Sequence, residues 1–195
     1  MSSIPQRTPA IDLLLNRYST PAKYLADPAP QGEALGLILR AAMSAPDHAG
    51  LQPWRLMLVQ GAALQRMGDL FAASFQQRNP QATQELIERE RSKPTRSPLL
   101  IFLIAKPQPH PKVPEWEQIM SLGAAATQMQ LMAQALGFGS IWLSGDRCHD
   151  RGLLEQLGLS DDERLYGYLA MGTPKESCAG KARGNPWDVT SEWTG

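Results

Sequence analysis

The chain has 195 residues, enough for one domain with a full core at about 100–200 residues per domain, and its 19 basic and 19 acidic side chains cancel, which removes any general reason to expect nucleic acid or an anionic membrane surface as a partner. No apolar run approaches the ~20 residues of a membrane helix and the first twenty residues lack a signal-type apolar core, so an unexported, cytoplasmic protein is expected. The two cysteines, Cys148 and Cys178, are far from metal-ligand spacing and are expected as reduced thiols.

Thr8-Pro9 reads as an N-cap followed by proline at the first helical position, and Ile11, Leu14, Leu15 and Tyr18 then mark one helix face, so that this helix delivers Arg17 and Ser19 at its C-terminal end. Pro21 to Gly32, with Pro28 and Pro30, is a connector. Leu35, Ile38, Leu39 and Ala42 recur at helical spacing, and Leu56 to Val59 suits a buried strand. Between them, the segment from Ala45 to Trp54 sets breakers, His48, the Gln52 amide and Trp54 on a loop held by structure on both sides, which is how ligand loops are commonly built. Gly61 to Phe75 and Ala82 to Arg91 have helix compositions separated by Asn79-Pro80, the second charged and exposed. Leu99 to Ala105 is an unbroken apolar run after Ser97-Pro98, the pattern of a strand buried on both faces.

The proline-rich loop from Pro107 to Pro114 leads into the longest helix, from about Glu115 to Leu136. Its small residues from Gly123 to Thr127, with Met120, Met129, Leu131 and Met132, predict a helix covered nearly all round, either central or at a dimer contact. Gly137 ends it as a left-handed cap. Ser140 to Ser144 is a candidate strand, Leu153 to Leu157 a short helix and Leu165 to Met171 a last strand, while the tail from Lys175 to Gly195, with Pro186, Trp187 and Trp193, lacks the periodicity of a core element. Residues 1–195 are expected as one domain, the segment from about 175 being an extended tail.

Several chemistries have no support. Gly137-Phe138-Gly139 lacks the third glycine of a dinucleotide fingerprint, Gly180-Lys181 has no Ser or Thr after it, no Gly-x-Ser-x-Gly elbow occurs, and three scattered histidines give no zinc spacing, so no metal is expected. Cys148 beside His149 suggests a thiol dyad, but residues adjacent in sequence rarely align as one. Arg17 offers planar, bidentate donors suited to a phosphate, with a hydroxyl from Ser19; the same residue also suits a helix C-terminus. His48 by itself is compatible with plain polar surface, and Trp142 with an ordinary buried strand.

Four segments, taken together and in order, carry a resemblance: Asn16-Arg17-Tyr18-Ser19, the Ala45 to Trp54 loop with its Gln52-Pro53-Trp54, Gly137 to Gly145, and Met171-Gly172-Thr173-Pro174. They resemble the flavin-dependent nitroreductase family, and the Asp47-His48 form is similar to its YdjA-type subgroup. The resemblance implies an α+β fold, with a mixed, mainly antiparallel central sheet flanked by helices in an intertwined homodimer, FMN at the subunit interface and NAD(P)H as electron donor. It implies FMN contacts at Arg17, Tyr18, Ser19, Ser44, His48, Trp142, Leu143 and Ser144, with Ser44 and His48 reaching across the interface, and a nicotinamide contact along Met132, Ala133, Gln134, Ala135, Leu136 and Gly137. No side chain is implied as a catalytic acid or base, because the flavin carries the chemistry to a small-molecule acceptor such as a nitroaromatic or quinone. Lys181 and Arg183 are candidates for a further phosphate contact, and the C-terminal segment is expected to wrap the partner subunit. The chain departs from the pattern at Ser44, where many subgroup members carry arginine, at Asp47, where the wider family has Ser, and at Gly50, where it has an Asn whose amide meets the ring. The alternative is a flavin-binding or storage module without efficient turnover.

Overall fold

Seven residues in a row, Leu99 to Ala105, are apolar and fully buried, so side chains alternating at the two-residue period of a strand must be covered on both faces. The computed structural model describes residues 7–176 and 183–195, with Cys178 and Lys181 outside them, and builds that cover as follows. In chain order the elements are α1 (Pro9–Leu15), β1 (Leu25–Ala26), α2 (Gly32–Ala42), β2 (Trp54–Gln60), α3 (Ala62–Arg78), α4 (Gln84–Arg91), β3 (Leu99–Ala105), α5 (Glu115–Ala135), β4 (Gly139–Leu143), α6 (Arg151–Gln156) and β5 (Arg164–Pro174). β3 lies between β2 and β5; β5 also pairs with β4, Gly139 opposite Gly172, and with β1, Leu25 opposite Pro174. Every pairing among the described residues is antiparallel.

Helices cover both faces of this sheet. Leu100, Phe102 and Ile104 point to one side, where they meet Leu64, Met67 and Phe71 of α3 and Leu153 and Leu154 of α6. Phe71, Phe102 and Tyr168 form an aromatic trio there, with centroids 5.2 to 6.4 Å apart, a geometry that adds about 0.5–1.5 kcal/mol per pair beyond burial. Leu99, Ile101 and Leu103 point to the other side, against Ile38 of α2 and Leu122, Ala125, Ala126, Met129 and Ala133 of α5. The alanines let α5 lie close to the strands. No helix among the described residues is long and apolar enough to cross a membrane.

Two expectations need correction. Thr8 caps α1 as read, accepting the Ile11 N–H, but the helix stops at Leu15, so Arg17 to Ser19 lie on the segment beyond it. Its apolar face is only partly packed: no residue of α1 is buried, Ile11 and Leu13 are half-buried, and Leu14 and Leu15 are 61% and 60% exposed. Likewise α5 is not covered all round, because Trp116 and Met120 are 60% and 65% exposed on the side away from the sheet. In both cases the apolar side chains face outward, where the described residues offer no further layer. β1 was absent from the pattern because two residues are too short for a period to show.

Glu163, at the turn into β5, is tied to β2 by Arg55, whose Nε and Nη2 each donate at 2.8 Å to one of its two oxygens. That bidentate grip, opposed by burial and aided by the Ser160 N–H, lowers the Glu163 pKa from 4.5 to about 2. A carboxylate more acidic folded than unfolded contributes stability that is present above its unfolded value and is lost as pH falls toward the folded one. Urea unfolding at pH 7 and pH 3 should therefore show the wild type losing more stability on acidification than Arg55→Met. Equal losses would remove the pair from the acid response.

Candidate functional site

The segment leaving α1 is pinned at three points. The N–H of buried Thr20 donates to the Ser140 carbonyl at 2.9 Å, laying the segment beside the start of β4. Gln134, in the last turn of α5, accepts from the Tyr18 N–H and donates to the Asn16 carbonyl, both at 3.4 Å. Arg183, from the chain beyond β5, donates to the Arg17 carbonyl. Arg17 and Tyr18 are thus half-buried at a corner shared with a second guanidinium, and Ser19 is exposed beside them. The close approach requires Gly139, where an added Cβ would lie 2.7 Å from the Leu25 side chain and 2.8 Å from the Thr20 hydroxyl.

β4 carries Trp142 and Leu143 away from this corner, and Ser144 follows as an exposed residue. The Trp142 indole N–H donates to the Tyr166 carbonyl at 2.8 Å, and Leu143 packs toward the α3 side of the sheet. Beyond them opens a cavity of about 280 Å³ lined by Leu143, Ser144, Ile141 and the Pro21–Ala22 turn, and by Lys23, Lys93, Arg96, Arg147 and the Tyr168 hydroxyl edge. Sequence reading named none of these last five. They come from a connector, from the turn between α4 and β3, from the turn after β4 and from β5; no one stretch holds a motif. The available signal was Lys93-Pro94-Thr95-Arg96, two cations flanking a buried proline just before the most buried strand.

Ser44 and His48 stand elsewhere. The Ser44 hydroxyl donates to the Ala41 carbonyl at 2.8 Å and borders an open apolar groove of about 560 Å³ between α1, α2 and α5. His48 sits on a turn with left-handed Ala49 and Gln52, at φ 68° and 47°, conformations that cost roughly 1–3 kcal/mol each and are held here by Asp47, which accepts the Gln52 N–H at 2.6 Å. The other Asp47 oxygen is buried without a hydrogen-bond partner among the described residues. His48 Nδ1 lies 2.8 Å from a Glu117 oxygen in the first turn of α5. Glu117 and Gln134 are seventeen residues apart on one helix, roughly 26 Å at the α-helical rise, so His48 and the Arg17 corner stand at opposite ends of α5.

Of the segment expected to meet nicotinamide, Ala133 is fully buried, Gln134 is engaged with the Arg17 corner, Leu136 is half-buried and Gly137 is the left-handed cap at φ 83°. Met132 and Ala135 reach the groove. Cys148 is buried, which pushes its thiol pKa up and away from nucleophilic use, while neighbouring His149 is exposed.

Residues 14–173 match the model of the nitroreductase family. The chain belongs to this family. It is 42% identical over 168 residues to an Escherichia coli K12 protein named "Putative NAD(P)H nitroreductase YdjA", covering 85% of this chain and 88% of the relative, and 34% identical over 175 residues to a Haemophilus influenzae protein of the same general name, covering 89% and 93%. Among solved structures, a nitroreductase-like family protein from Bacillus cereus superimposes with a TM-score of 0.82 at 22% identity, covering 99% of this chain and all of the other. A nitroreductase with bound FMN from Bacteroides fragilis does so with a TM-score of 0.70 at 20% identity, over 96% of this chain and 100% of the other. These structural matches bear out the α+β nitroreductase-like fold.

The placement of Trp142 to Ser144 depends on Gly167 of β5, at φ 103°, where an added Cβ would come within 2.2 Å of the Leu143 carbonyl. Gly167→Ala should destabilise the protein by more than about 1 kcal/mol in urea unfolding, because the conformation disfavours a Cβ and the neighbouring atom is backbone. Wild-type stability would show that β4 can draw back from β5.

Proposed function

We propose that this chain is an FMN-dependent NAD(P)H oxidoreductase of nitroreductase type, working as a cytoplasmic homodimer whose subunits are single domains of residues 1–195 with the part beyond about residue 175 as a tail. The observation that carries this reading is the disposition of cations along β4, a guanidinium pair at its start and a four-cation cavity past its end. FMN is doubly anionic at its phosphate and gains negative charge at one ring edge when it holds electrons. The residues present fit both demands. Arg17 and Arg183 supply two guanidiniums and Ser19 a hydroxyl for the phosphate, beside Tyr18. Trp142, Leu143 and Ser144 orient the ring, and Lys23, Lys93, Arg96 and Arg147 offset the charge of its edge.

FMN held by these residues would supply the redox chemistry, ping-pong hydride transfer through its N5 from NAD(P)H to a nitroaromatic, quinone or related small acceptor. The chain's own groups bind and orient, and none is needed as acid or base. Met132 to Gly137 remains the segment proposed for nicotinamide contact, with Met132 and Ala135 as its groove-facing members. The names of the E. coli and H. influenzae relatives and the FMN of the B. fragilis structure support the assignment.

Two observations support the homodimer. Apolar side chains on α1 and α5 face outward, and Trp187 and Trp193 in the tail are 75% and 89% exposed, as expected of surfaces that a second copy covers. His48 and Arg17 are too far apart to serve one ligand within one chain, so His48, with Ser44, completes the site of the other subunit. Gly50, which has no side chain to offer the ring, and Ser44, engaged with Ala41, favour the second reading, an FMN-storing module without turnover. Steady NAD(P)H oxidation with an added acceptor excludes it.

The deciding experiment is an absorption spectrum with and without FMN. A bound-flavin spectrum that bleaches anaerobically with NADH or NADPH and returns with acceptor is expected; a protein that stays colourless overturns the reading. Arg17→Ala should weaken FMN binding by about 10- to 100-fold, the range of a charge-assisted hydrogen bond, measured by quenching of free FMN fluorescence. Unchanged affinity would sink the phosphate assignment. Refolding Arg17→Ala and His48→Ala chains together in equal amounts should recover about a quarter of wild-type activity, because half the dimers then hold one intact site of two. Recovery of nothing above the separate variants would place Arg17 and His48 in the same protomer's site.

A further inference from the structure

The four cations of the cavity differ in how they are held. Lys23 and Arg96 stand exposed at the rim with no carboxylate partner among the described residues. Lys93 and Arg147 are part-buried and converge on a single carboxylate behind the wall, that of Glu90 near the end of α4. One Glu90 oxygen accepts from Arg147 at 2.9 Å and the other from the Lys93 ammonium; the Glu90 and Arg147 side chains are each 12% exposed and Lys93 25%. Arg147 has two further restraints, its guanidinium carbon 4.5 Å from the Phe71 ring centroid and an N–H 3.4 Å from the Tyr168 hydroxyl. Among the described residues the Lys93 ammonium has only Glu90.

The charged groups facing the Lys93 ammonium are Glu90 and Arg89 from α4 and Arg147 from the turn after β4, while Lys23 and Arg96 share its cavity. Burial first, then repulsion by Arg147 and Arg89, drives Lys93 toward losing its proton or leaving for solvent, and Glu90 opposes both. We propose that Glu90 is a positioning residue that holds the Lys93 ammonium in the cavity wall, where it stabilises negative charge on the flavin ring edge. This rests on the FMN reading above and deepens it: the cavity's charge is set by a carboxylate that does not itself line the cavity.

Two measurements on the full-length protein test this, one without flavin. In flavin-free protein, Lys93 should be acetylated by acetic anhydride about fivefold faster in Glu90→Gln than in wild type, as read by mass spectrometry, the population change that an ion pair of ordinary strength controls. Equal rates overturn the hold on Lys93, whatever the cofactor. In FMN-loaded protein, Glu90→Gln and Lys93→Met should each lower the flavin midpoint potential, and the double variant should go no lower than Lys93→Met alone. A rise in Glu90→Gln, as simple removal of a negative charge gives, or an unchanged potential with only a lower melting temperature, overturns the positioning role. Failure of the wild type to take up FMN defeats the flavin reading, and the acetylation rates then still decide whether Glu90 holds Lys93.

Discussion

Seven consecutive apolar residues in extended conformation present alternate side chains to the two faces of a sheet, and in β3 neither set reaches water. Helices must then lie on both sides, and the strands on either edge of β3 must extend the sheet far enough to seat them. α3 and α6 answer on one face, α2 and α5 on the other. The candidate site follows from the same constraint. β5, paired along β3, presents its other pairing to β4, and β4 in turn is the surface on which the segment from Arg17 to Lys23 is laid.

Electrostatics are organised against this frame in a way the zero net charge conceals. Several carboxylates elsewhere are matched locally: Glu163 with Arg55, Asp150 with Arg78 and Ser74, Asp69 with Arg91. Near the end of β4 the matching lapses, and four cations converge with one shared carboxylate behind them. In a partly desolvated cavity such an excess acts more strongly than in water. It is therefore the arrangement of charge, not its total, that marks the site.

How far the sequence revealed this depended on whether a feature was local. The bounds of β3 were plain because seven apolar residues lie between a Ser-Pro stop and a charged lysine, and Gly137 was readable as the end of α5 because it alone supplies the left-handed cap. The apolar run of β3 spoke of burial, not of strand direction: it suits a parallel strand equally, yet every pairing here is antiparallel. Periodicity on α1 and α5 was real, but it cannot distinguish a face packed on the same chain from one turned outward, and Leu14, Trp116 and Met120 turned outward. Arg17 and Trp142 were found through short motifs, whereas Lys23, Lys93, Arg96 and Arg147 belong to three separate stretches and become a group only when β5 brings β4 against the α4–β3 turn. The distance between His48 and Arg17 was likewise invisible until both were placed on one helix.

The position of β5 in the chain has a consequence for synthesis. It alone pairs with β1, β3 and β4, and it comes last, at Arg164–Pro174. When β3 leaves the ribosome it can pair only with β2, and the unpaired backbone N–H and C=O groups of its other edge, flanked by apolar side chains, wait roughly 3–12 s for β5 at the usual 5–20 residues per second. During that interval the nascent chain carries an open strand edge of the kind that recruits chaperones or other chains. A truncation before residue 164 would make that exposure permanent, so a C-terminal shortening that passes through the tail into β5 removes the strand on which three pairings depend.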